Sequence, residues 1–383
     1  MQWGEKIAKL GRQAKRELTP APGSVDPILY GGIKKLVKDL KKSRAKADLE
    51  DYEPQIIARG GEHLVFELQD PKHPDTVIKI NFQYSRPMLR AINQGPQAVL
   101  QARDLVKDRI KNQTQELRTI RNYFGQQTVP AGQNMIRELP VNFETIAVLD
   151  PGFPVTDSAS IPRSTPAMIT VQRRVELPPG DRTVSLTGYY PEKSLQSDEL
   201  GFSDRYFAGH EILTGGLSNK PEQDIQIKYI LDMYPDMAPI AKKAKSDPKF
   251  RQKLKDSVET MIKMTQETGI IIDLAGKNNV VLIKKDGNWD IKLIDPLHAD
   301  GTNLESLQKA VSSLSAGSGA ETDSLKLEEI GNAFNALNTL RVINALATIS
   351  GSSARLNIPG LSELSPGVWS GLFFKTIRKK GKN

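Results

Sequence analysis

Cysteine is absent from this 383-residue chain, and histidine occurs only four times. Without thiols there are no disulfide bonds or thiolate metal sites, and four scattered histidines argue against a zinc centre. No apolar stretch approaches the roughly 18 residues that a membrane-spanning helix needs. The first residues do not lead into the apolar core of a secretory signal. We therefore expect a soluble globular protein without a transmembrane segment, cytoplasmic when made.

The net charge of +8 is concentrated at the two ends of the chain. Residues 1–50 carry 12 Lys or Arg against 6 Asp or Glu, and the last residues are again rich in lysine. Such basic ends can bind an anionic partner, such as nucleic acid or anionic lipid, although they are more often solvated tails. We interpret residues 1–53 as a basic helical N-terminal extension and residues 351–383 as a basic C-terminal tail.

The stretch from Gly269 to Asp300 carries the most informative pattern of acids. An apolar run ends at Asp273, and Asn278 follows five positions later. Two runs rich in β-branched residues then flank an Asp-Gly turn, which predicts a β-hairpin, and Asp295 follows the second run. We expect Asp273, Asn278 and Asp295 at neighbouring ends of one small substructure.

This trio of side chains suits magnesium-assisted phosphoryl transfer. A carboxylate and an amide can hold a hard cation against phosphate oxygens, and a second carboxylate can orient an attacking hydroxyl and accept its proton. The plain alternative is an ordinary buried hairpin with surface acids.

Residues 54–82 read as three strands separated by turns. The first turn contains Gly60 and Gly61, whose backbone N–H groups can approach a phosphate closely. The third strand carries Lys79, which can neutralise phosphate charge. Each signal is common alone, because glycine turns and exposed strand lysines occur in many sheets.

The order of these motifs resembles the protein-kinase-like superfamily. G-G-E-H-L-V-F-E followed by V-I-K-I is similar to its glycine-rich loop and strand lysine, and D-L-A-G-K-N followed by L-I-D-P is similar to its catalytic loop and metal-binding Asp. The likeness is to bacterial and phage kinase-like domains, including polyvalent-protein kinases, and to aminoglycoside-phosphotransferase-like kinases. Ile271 and Ile272 replace the usual His-Arg, Pro296 and Leu297 replace Phe-Gly, and no Ala-Pro-Glu follows.

The resemblance implies an α+β, two-lobed protein-kinase-like fold with a small β-rich N-lobe and a larger helical C-lobe. The N-lobe would span residues 54–175 and the C-lobe residues 176–350, with an irregular insertion at 178–225. Apolar periodicity predicts the main helices and strands. The helices are expected at 97–124, 226–243, 247–268, 303–314 and 324–349, and strands at 134–150 and 166–177.

The resemblance also implies a role for each matching residue. Asp273 would position or deprotonate the acceptor hydroxyl, and Lys277 would add positive charge beside it. Magnesium would be held by Asn278 and Asp295. The expected ATP-binding residues are Gly60, Gly61, Val65, Lys79, Glu116, Gln172 and Arg173.

Within this set, Glu116 is the expected partner of Lys79, with Asp104 and Asp108 as rivals. Gln172 and Arg173 would contact adenine through their backbone at the connection between lobes. Tyr189 and Tyr190 can stack on a ligand, although packing within their own loop is the favoured interpretation.

The predicted function is an ATP- and magnesium-dependent phosphotransferase acting on a hydroxyl of a protein or small-molecule acceptor. Three alternatives stay open: a catalytically silent kinase-like nucleotide-binding protein, transfer of a nucleotidyl group on the same scaffold, and a nucleic-acid-binding protein that uses the basic ends.

Overall fold

A computed structural model describes eleven ranges of the chain. They are residues 54–59, 63–68, 76–81, 91, 94–125, 132–140, 164–191, 213, 222–298, 303–315 and 324–357. The chain divides into two compact units, one of Met1–Gln115 with Ala131–Arg174 and one of Glu116–Pro130 with Val175–Asn383. One boundary between the units therefore falls within residues 172–175, which the sequence predicts to connect two lobes.

The described residues form an α+β structure with two antiparallel sheets. The strands are β1 (Pro54–Arg59), β2 (His63–Leu68), β3 (Thr76–Asn81), β4 (Gly132–Pro140), β5 (Ser164–Arg173), β6 (Thr183–Ser185), β7 (Val280–Lys285) and β8 (Asn288–Leu293). The α-helices are α1 (Pro96–Phe124), α2 (Gln223–Met233), α3 (Ala238–Ser246), α4 (Pro248–Thr268), α5 (Leu304–Ser315) and α6 (Ser324–Ser350).

The first unit holds a five-stranded sheet in the order β1-β2-β3-β5-β4. All neighbouring strands are antiparallel, and Lys79 of β3 pairs with Val65 of β2 and with Thr170 of β5. Because side chains alternate between the faces of a sheet, Val65, Lys79 and Gln172 share one face. Lys79 is only 8% exposed, in contrast to an ordinary surface strand lysine.

Helix α1 begins one residue earlier than the sequence predicts and ends at the predicted residue. Its buried residues recur every three or four positions, which gives the apolar stripe of an amphipathic helix. They include Val99, Ala102, Val106 and Ile110. Leu105 is exposed, since it lies one position before Val106 and therefore on another side of the helix.

The prediction of a single helix over residues 226–243 is wrong, because the helix is interrupted at Tyr234 and Pro235. Helix α2 ends before them, a 3₁₀ turn spans Pro235–Met237, and α3 follows. Proline has no backbone N–H and cannot donate the hydrogen bond that a continuous helix needs, so Pro235 itself interrupts the helix. Tyr234 is buried at the break, and its hydroxyl donates to Asn338 Oδ1 at 3.0 Å.

Helix α4 has well-defined ends. Asp247 caps the start by accepting a hydrogen bond from the Phe250 N–H at 3.0 Å, and Pro248 takes the first helical position. Gly269 ends the helix with φ +73°, a left-handed conformation that glycine adopts without strain. The predicted stop at Thr268 and Gly269 is therefore confirmed.

Most of helix α6 lies in the core of the second unit. Every residue from 336 to 350 is buried, including several polar ones. The Asn344 amide donates to the carbonyls of Leu213 and Leu356, and its oxygen accepts the Leu356 N–H. The packed body therefore extends past residue 350, where the basic tail was predicted to begin.

The segment predicted as an irregular insertion, residues 178–225, contains a strand. The three residues of β6 pair with β7, which in turn pairs with β8. Three residues carry too little periodicity for a sequence pattern to reveal them. Helix α2 also begins inside the predicted insertion, at Gln223.

Several predicted features lie outside the described residues. They are the N-terminal extension up to residue 53, the Gly60–Gly61 turn, residues 192–212 and the basic segment 358–383. Within the ranges that are described, no helix is long and apolar enough to cross a membrane.

Asp247 also joins α4 to the β7–β8 hairpin. Its carboxylate accepts hydrogen bonds from Trp289 Nε1 at 2.9 Å and Lys284 Nζ at 3.3 Å. These donors, led by the Trp289 indole N–H, lower the pKa of Asp247 to about 2.

We expect Asp247→Ala to lower the free energy of unfolding by about 1–3 kcal/mol at neutral pH, because a helix cap and two further hydrogen bonds are lost. The native pKa lies below the ordinary value, so this stabilisation is present above about pH 4 and disappears as the pH falls towards 2. Urea unfolding at neutral pH and near pH 2 measures this stabilisation, with Asp232→Ala as the exposed control. A difference between wild type and Asp247→Ala that does not change with pH would contradict this assignment.

Candidate active site

The loop of residues 273–279 lies against the segment that follows β8. The Asp273 N–H donates to the Pro296 carbonyl at 2.9 Å, and Ile272 forms an isolated antiparallel bridge with Leu297. The N–H groups of Ile294 and Asp295 both donate to the Asn279 carbonyl. The segments of Asp273 and Asp295 are therefore adjacent, as the hairpin pattern predicts.

The Asp273 carboxylate is almost fully buried and has defined partners. Only 6% of the residue is exposed. Its Oδ1 accepts the Ala275 N–H at 2.7 Å, and its Oδ2 accepts the Asn279 side-chain amide at 2.9 Å. His298 Nδ1 lies 3.7 Å from Oδ1. These contacts fix the orientation of the carboxylate.

Burial raises the pKa of Asp273 above its ordinary value, and the negative charge of Asp295 adds to this effect. His298 and the Ala275 N–H act in the opposite direction. A carboxylate with a raised pKa is a stronger base and accepts a proton more readily. Catalytic bases work best when their pKa approaches the operating pH. The electrostatics of the loop thus suit Asp273 for the role of proton acceptor.

Asn279 links the two acidic segments. Its side-chain amide holds Asp273, and its carbonyl holds the backbone N–H of Asp295. This residue was not among the predicted site residues, although the adjacent asparagines at 278 and 279 were a visible signal. Sequence spacing alone favoured Asn278.

Gly276 is required for this arrangement. A Cβ atom at position 276 would lie 2.4 Å from Asn279 Nδ2 and 2.8 Å from Cγ, well inside van der Waals contact. The side chain of Asn279 can therefore reach Asp273 only because residue 276 has none.

The remaining loop residues have separate roles. Asn278 adopts a left-handed conformation with φ +63°, which asparagine tolerates better than most residues. The backbone geometry alone is thus a sufficient reason for asparagine at this position. Lys277 is exposed, and Asp295 is half-buried.

A strap of residues 186–190 crosses the loop. The Leu186 N–H donates to the Val280 carbonyl, the Gly188 N–H donates to the Leu274 carbonyl at 2.8 Å, and the Tyr190 hydroxyl donates to the Ala275 carbonyl at 3.1 Å. The Tyr190 hydroxyl thus contacts the acidic loop, whereas the Tyr189 hydroxyl donates to the Ser185 carbonyl within its own segment at 2.7 Å. Burial raises the pKa of Tyr190, and the charge of Asp273 raises it further.

The strap is also fixed to helix α6. The Asn338 side-chain amide donates to the Tyr189 carbonyl at 2.8 Å. Since Tyr189 lies between the two strap residues that contact the loop, α6 supports the loop indirectly. No sequence signal pointed to this support.

The predicted ATP-binding residues belong to different units. Val65, Lys79 and Gln172 share one face of the first unit's sheet, and Arg173 ends β5 opposite Thr76. Glu116 is half-buried on α1 and belongs to the second unit. Its rivals Asp104 and Asp108 are exposed, and Gly60 and Gly61 lie outside the described residues.

Among the described residues, no group of three or more His, Asp or Glu is arranged to hold a metal ion. The predicted magnesium ligands are of a different kind, one carboxylate from Asp295 and one amide from Asn278. Both donate oxygen, which magnesium prefers, and magnesium usually keeps several water ligands in addition. The donor set therefore suits magnesium in its chemistry.

No protein-family model matches this chain, and neither a curated protein nor a solved structure matches it. The class that the structure itself defines is an α+β protein whose second unit holds a buried, oriented carboxylate beside a second acid.

We expect Asn279→Ala to lower the free energy of unfolding by about 1.5–3 kcal/mol, because the buried, charged carboxylate of Asp273 loses a hydrogen-bond donor. Asn279→Asp should destabilise the protein more, since it places a second carboxylate beside Asp273, and this extra loss should shrink as the pH falls and the pair takes up a proton.

Urea unfolding of both variants tests these expectations, with Lys277→Ala as an exposed control in the same loop. Equal stabilities of Asn279→Ala and Lys277→Ala would show that Asn279 does not hold Asp273.

Proposed function

We propose that the protein is an ATP- and magnesium-dependent phosphotransferase that acts on a hydroxyl of a protein or small-molecule acceptor. The observation that carries the proposal is the buried carboxylate of Asp273, held beside the Asp295 segment by Asn279. In protein kinases one Asp accepts the hydroxyl proton, and a second Asp with an Asn holds the magnesium. Asp273 of the loop and Asp295 of the adjacent segment are the two acids that this division needs, and Asn278 is the amide.

The reaction moves one phosphoryl group and one proton. The acceptor hydroxyl donates a hydrogen bond to Asp273, whose oxygens keep acceptor capacity beyond the two bonds they already make. The hydroxyl oxygen then bonds to the γ-phosphorus of ATP while the bond to the ADP oxygen breaks, and the proton passes to Asp273. Magnesium, held by Asp295 and Asn278, would supply positive charge against the phosphate oxygens.

The topology of the first unit supports the same proposal. In protein kinases the phosphate-binding lysine lies on the third strand of a β-rich lobe and pairs with a helix glutamate. Here Lys79 lies on β3 of a five-stranded antiparallel sheet, and helix α1 follows β3 in the chain. A two-lobed kinase-like fold, with Lys79 on the phosphates, would account for both features.

A second candidate function is nucleotide binding without catalysis. The near-complete burial of Asp273 favours it, because an acceptor hydroxyl must reach a carboxylate with little exposed surface. In this alternative Asp273 and Asn279 stabilise the loop and transfer no proton. The following experiment separates the two functions.

We expect the purified protein to release or transfer label from γ-labelled ATP in the presence of magnesium. Asp273→Ala and Asp295→Ala should each reduce the rate at least about 100-fold, the usual effect of removing a general base or a charge-stabilising group. Asp290→Ala, which removes a half-exposed carboxylate from the same hairpin, is the matched control and should keep the wild-type rate.

The other outcomes separate the alternatives. Binding of a fluorescent ATP analogue without turnover would indicate the silent nucleotide-binding protein. Label that enters protein from α-labelled ATP would indicate nucleotidyl transfer. The absence of both binding and turnover would overturn the proposal.

His298 provides a second test through the pH dependence of the rate. The base must be ionised, so the rate falls as the pH drops through the pKa of Asp273. His298 lowers that pKa, so His298→Gln should move the acid limb of the kcat/KM profile to higher pH. A limb that stays in place or moves to lower pH would contradict Asp273 as the base.

A further inference from the structure

The strongest concentration of charge within the described residues lies far along the chain from the basic ends. Residues 242–255 and 284–292 carry ten Lys or Arg against three Asp, a formal net charge of +7, compared with +8 for the whole chain. We call this set of ten cations the basic corner. Its members are Lys242, Lys243, Lys245, Lys249, Arg251, Lys253, Lys255, Lys284, Lys285 and Lys292.

Direct contacts make the basic corner one continuous surface. Lys249 Nζ donates to the Gly287 carbonyl at 3.3 Å and to Asn288 Oδ1 at 3.2 Å, which joins the start of α4 to the hairpin turn. Lys243 and Lys284 each lie over the ring of Trp289, at 5.4 and 5.6 Å from its centroid. The end of α3, the start of α4 and the β7–β8 hairpin therefore meet here.

Six of the ten cations form no ion pair with a described residue. Lys253 and Lys292 pair with Asp290, Lys284 pairs with Asp247, and Lys243 pairs with Asp181. Lys249 donates its hydrogen bonds to the hairpin turn. The five remaining cations form no ion pair with any described residue, and all are exposed or half-exposed. They are Lys242, Lys245, Arg251, Lys255 and Lys285.

Helix stability explains only part of this charge: Lys243 and Lys245 lie in the last turn of α3, where cations are favourable, but the cations of α4 are not placed in this way. The first turn of α4 holds no acidic residue, and Lys249 and Arg251 lie near the positive end of its dipole, where cations are unfavourable. Arg251 and Lys255 are also four positions apart, so like charges repel on one helix face. A fold that carries unfavourable charges in one place suggests an anionic partner there.

We propose that the basic corner binds the phosphate backbone of a nucleic acid without reading its sequence. Nine of its ten cations are lysines, which present compact point charges and lack the planar fork with which Arg recognises guanine. Backbone phosphates are the nucleic-acid groups that such charges neutralise.

An anionic membrane is the less suitable partner. Peripheral membrane binding usually combines basic residues with apolar side chains that enter the bilayer. The exposed large apolar side chains of the described structure all lie outside the basic corner. They are Leu100, Leu105, Leu177, Tyr190 and Ile225.

Apart from Lys292, which lies three residues before Asp295, this surface is separate from the candidate active site. The basic corner surrounds the start of α4, whereas Asp273 follows its end, and 21 helical residues span roughly 30 Å. A nucleic acid bound at the corner can therefore leave the acidic loop free. The inference holds whether or not the protein is a phosphotransferase.

The test measures fluorescence anisotropy of a labelled single-stranded oligonucleotide with the full chain over a series of salt concentrations. The variant Lys242→Gln/Lys245→Gln/Arg251→Gln/Lys255→Gln should raise the Kd at least tenfold at low salt. It should also flatten the slope of log K against log salt by roughly 2 to 3, since each lost phosphate contact removes about 0.7.

The matched control changes four exposed cations of α1, as Lys107→Gln/Arg109→Gln/Lys111→Gln/Arg118→Gln, and should keep the wild-type Kd and slope. Thermal melting of both variants checks that they remain folded. A corner variant that binds like wild type would overturn the proposal and assign the binding to the basic ends. A corner variant that loses binding to phosphatidylserine vesicles and keeps oligonucleotide binding would overturn it in favour of a membrane.

Discussion

The hydrogen bonds of Asn279 are the constraint on which the acidic loop depends. Two chain segments that each end in a carboxylate would repel one another if only their charges acted between them. One asparagine offsets this by binding the side chain of Asp273 and the backbone of Asp295. The absence of a side chain at Gly276 leaves room for it. The space left by Gly276 thus permits two carboxylates to lie close together, an arrangement whose charge repulsion would otherwise be unfavourable.

The loop is held from outside as well as from within. Helix α4 delivers the chain to Asp273 from one side, and the strap of residues 186–190 covers the loop from another. Asn338 ties the strap to the buried helix α6 through a hydrogen bond in the interior. Buried polar groups are costly unless paired, so these bonds favour one packing of the core over its alternatives.

Much of the second unit could be predicted from its sequence because the determinants are local. Proline and aspartate start α4, glycine stops it, and the Asp-Gly turn fixes the register of the hairpin, with left-handed φ angles at both turn residues. Asn279, the strap and the tie from Asn338 could not be predicted, because they depend on contacts between segments far apart in the chain. Pro235 is a helix-breaking residue in the sequence, but the apolar pattern continues on both sides of it and therefore predicted one continuous helix.

The position of helix α6 in the chain has a consequence for synthesis. The core of the second unit is built around residues 336–350, yet the strands, the acidic loop and helix α4 that pack on this core all precede them. During translation these earlier segments emerge with their apolar faces uncovered, and they remain so until α6 leaves the ribosome. Completion of this core therefore depends on contacts between segments far apart in the chain, and these contacts form last.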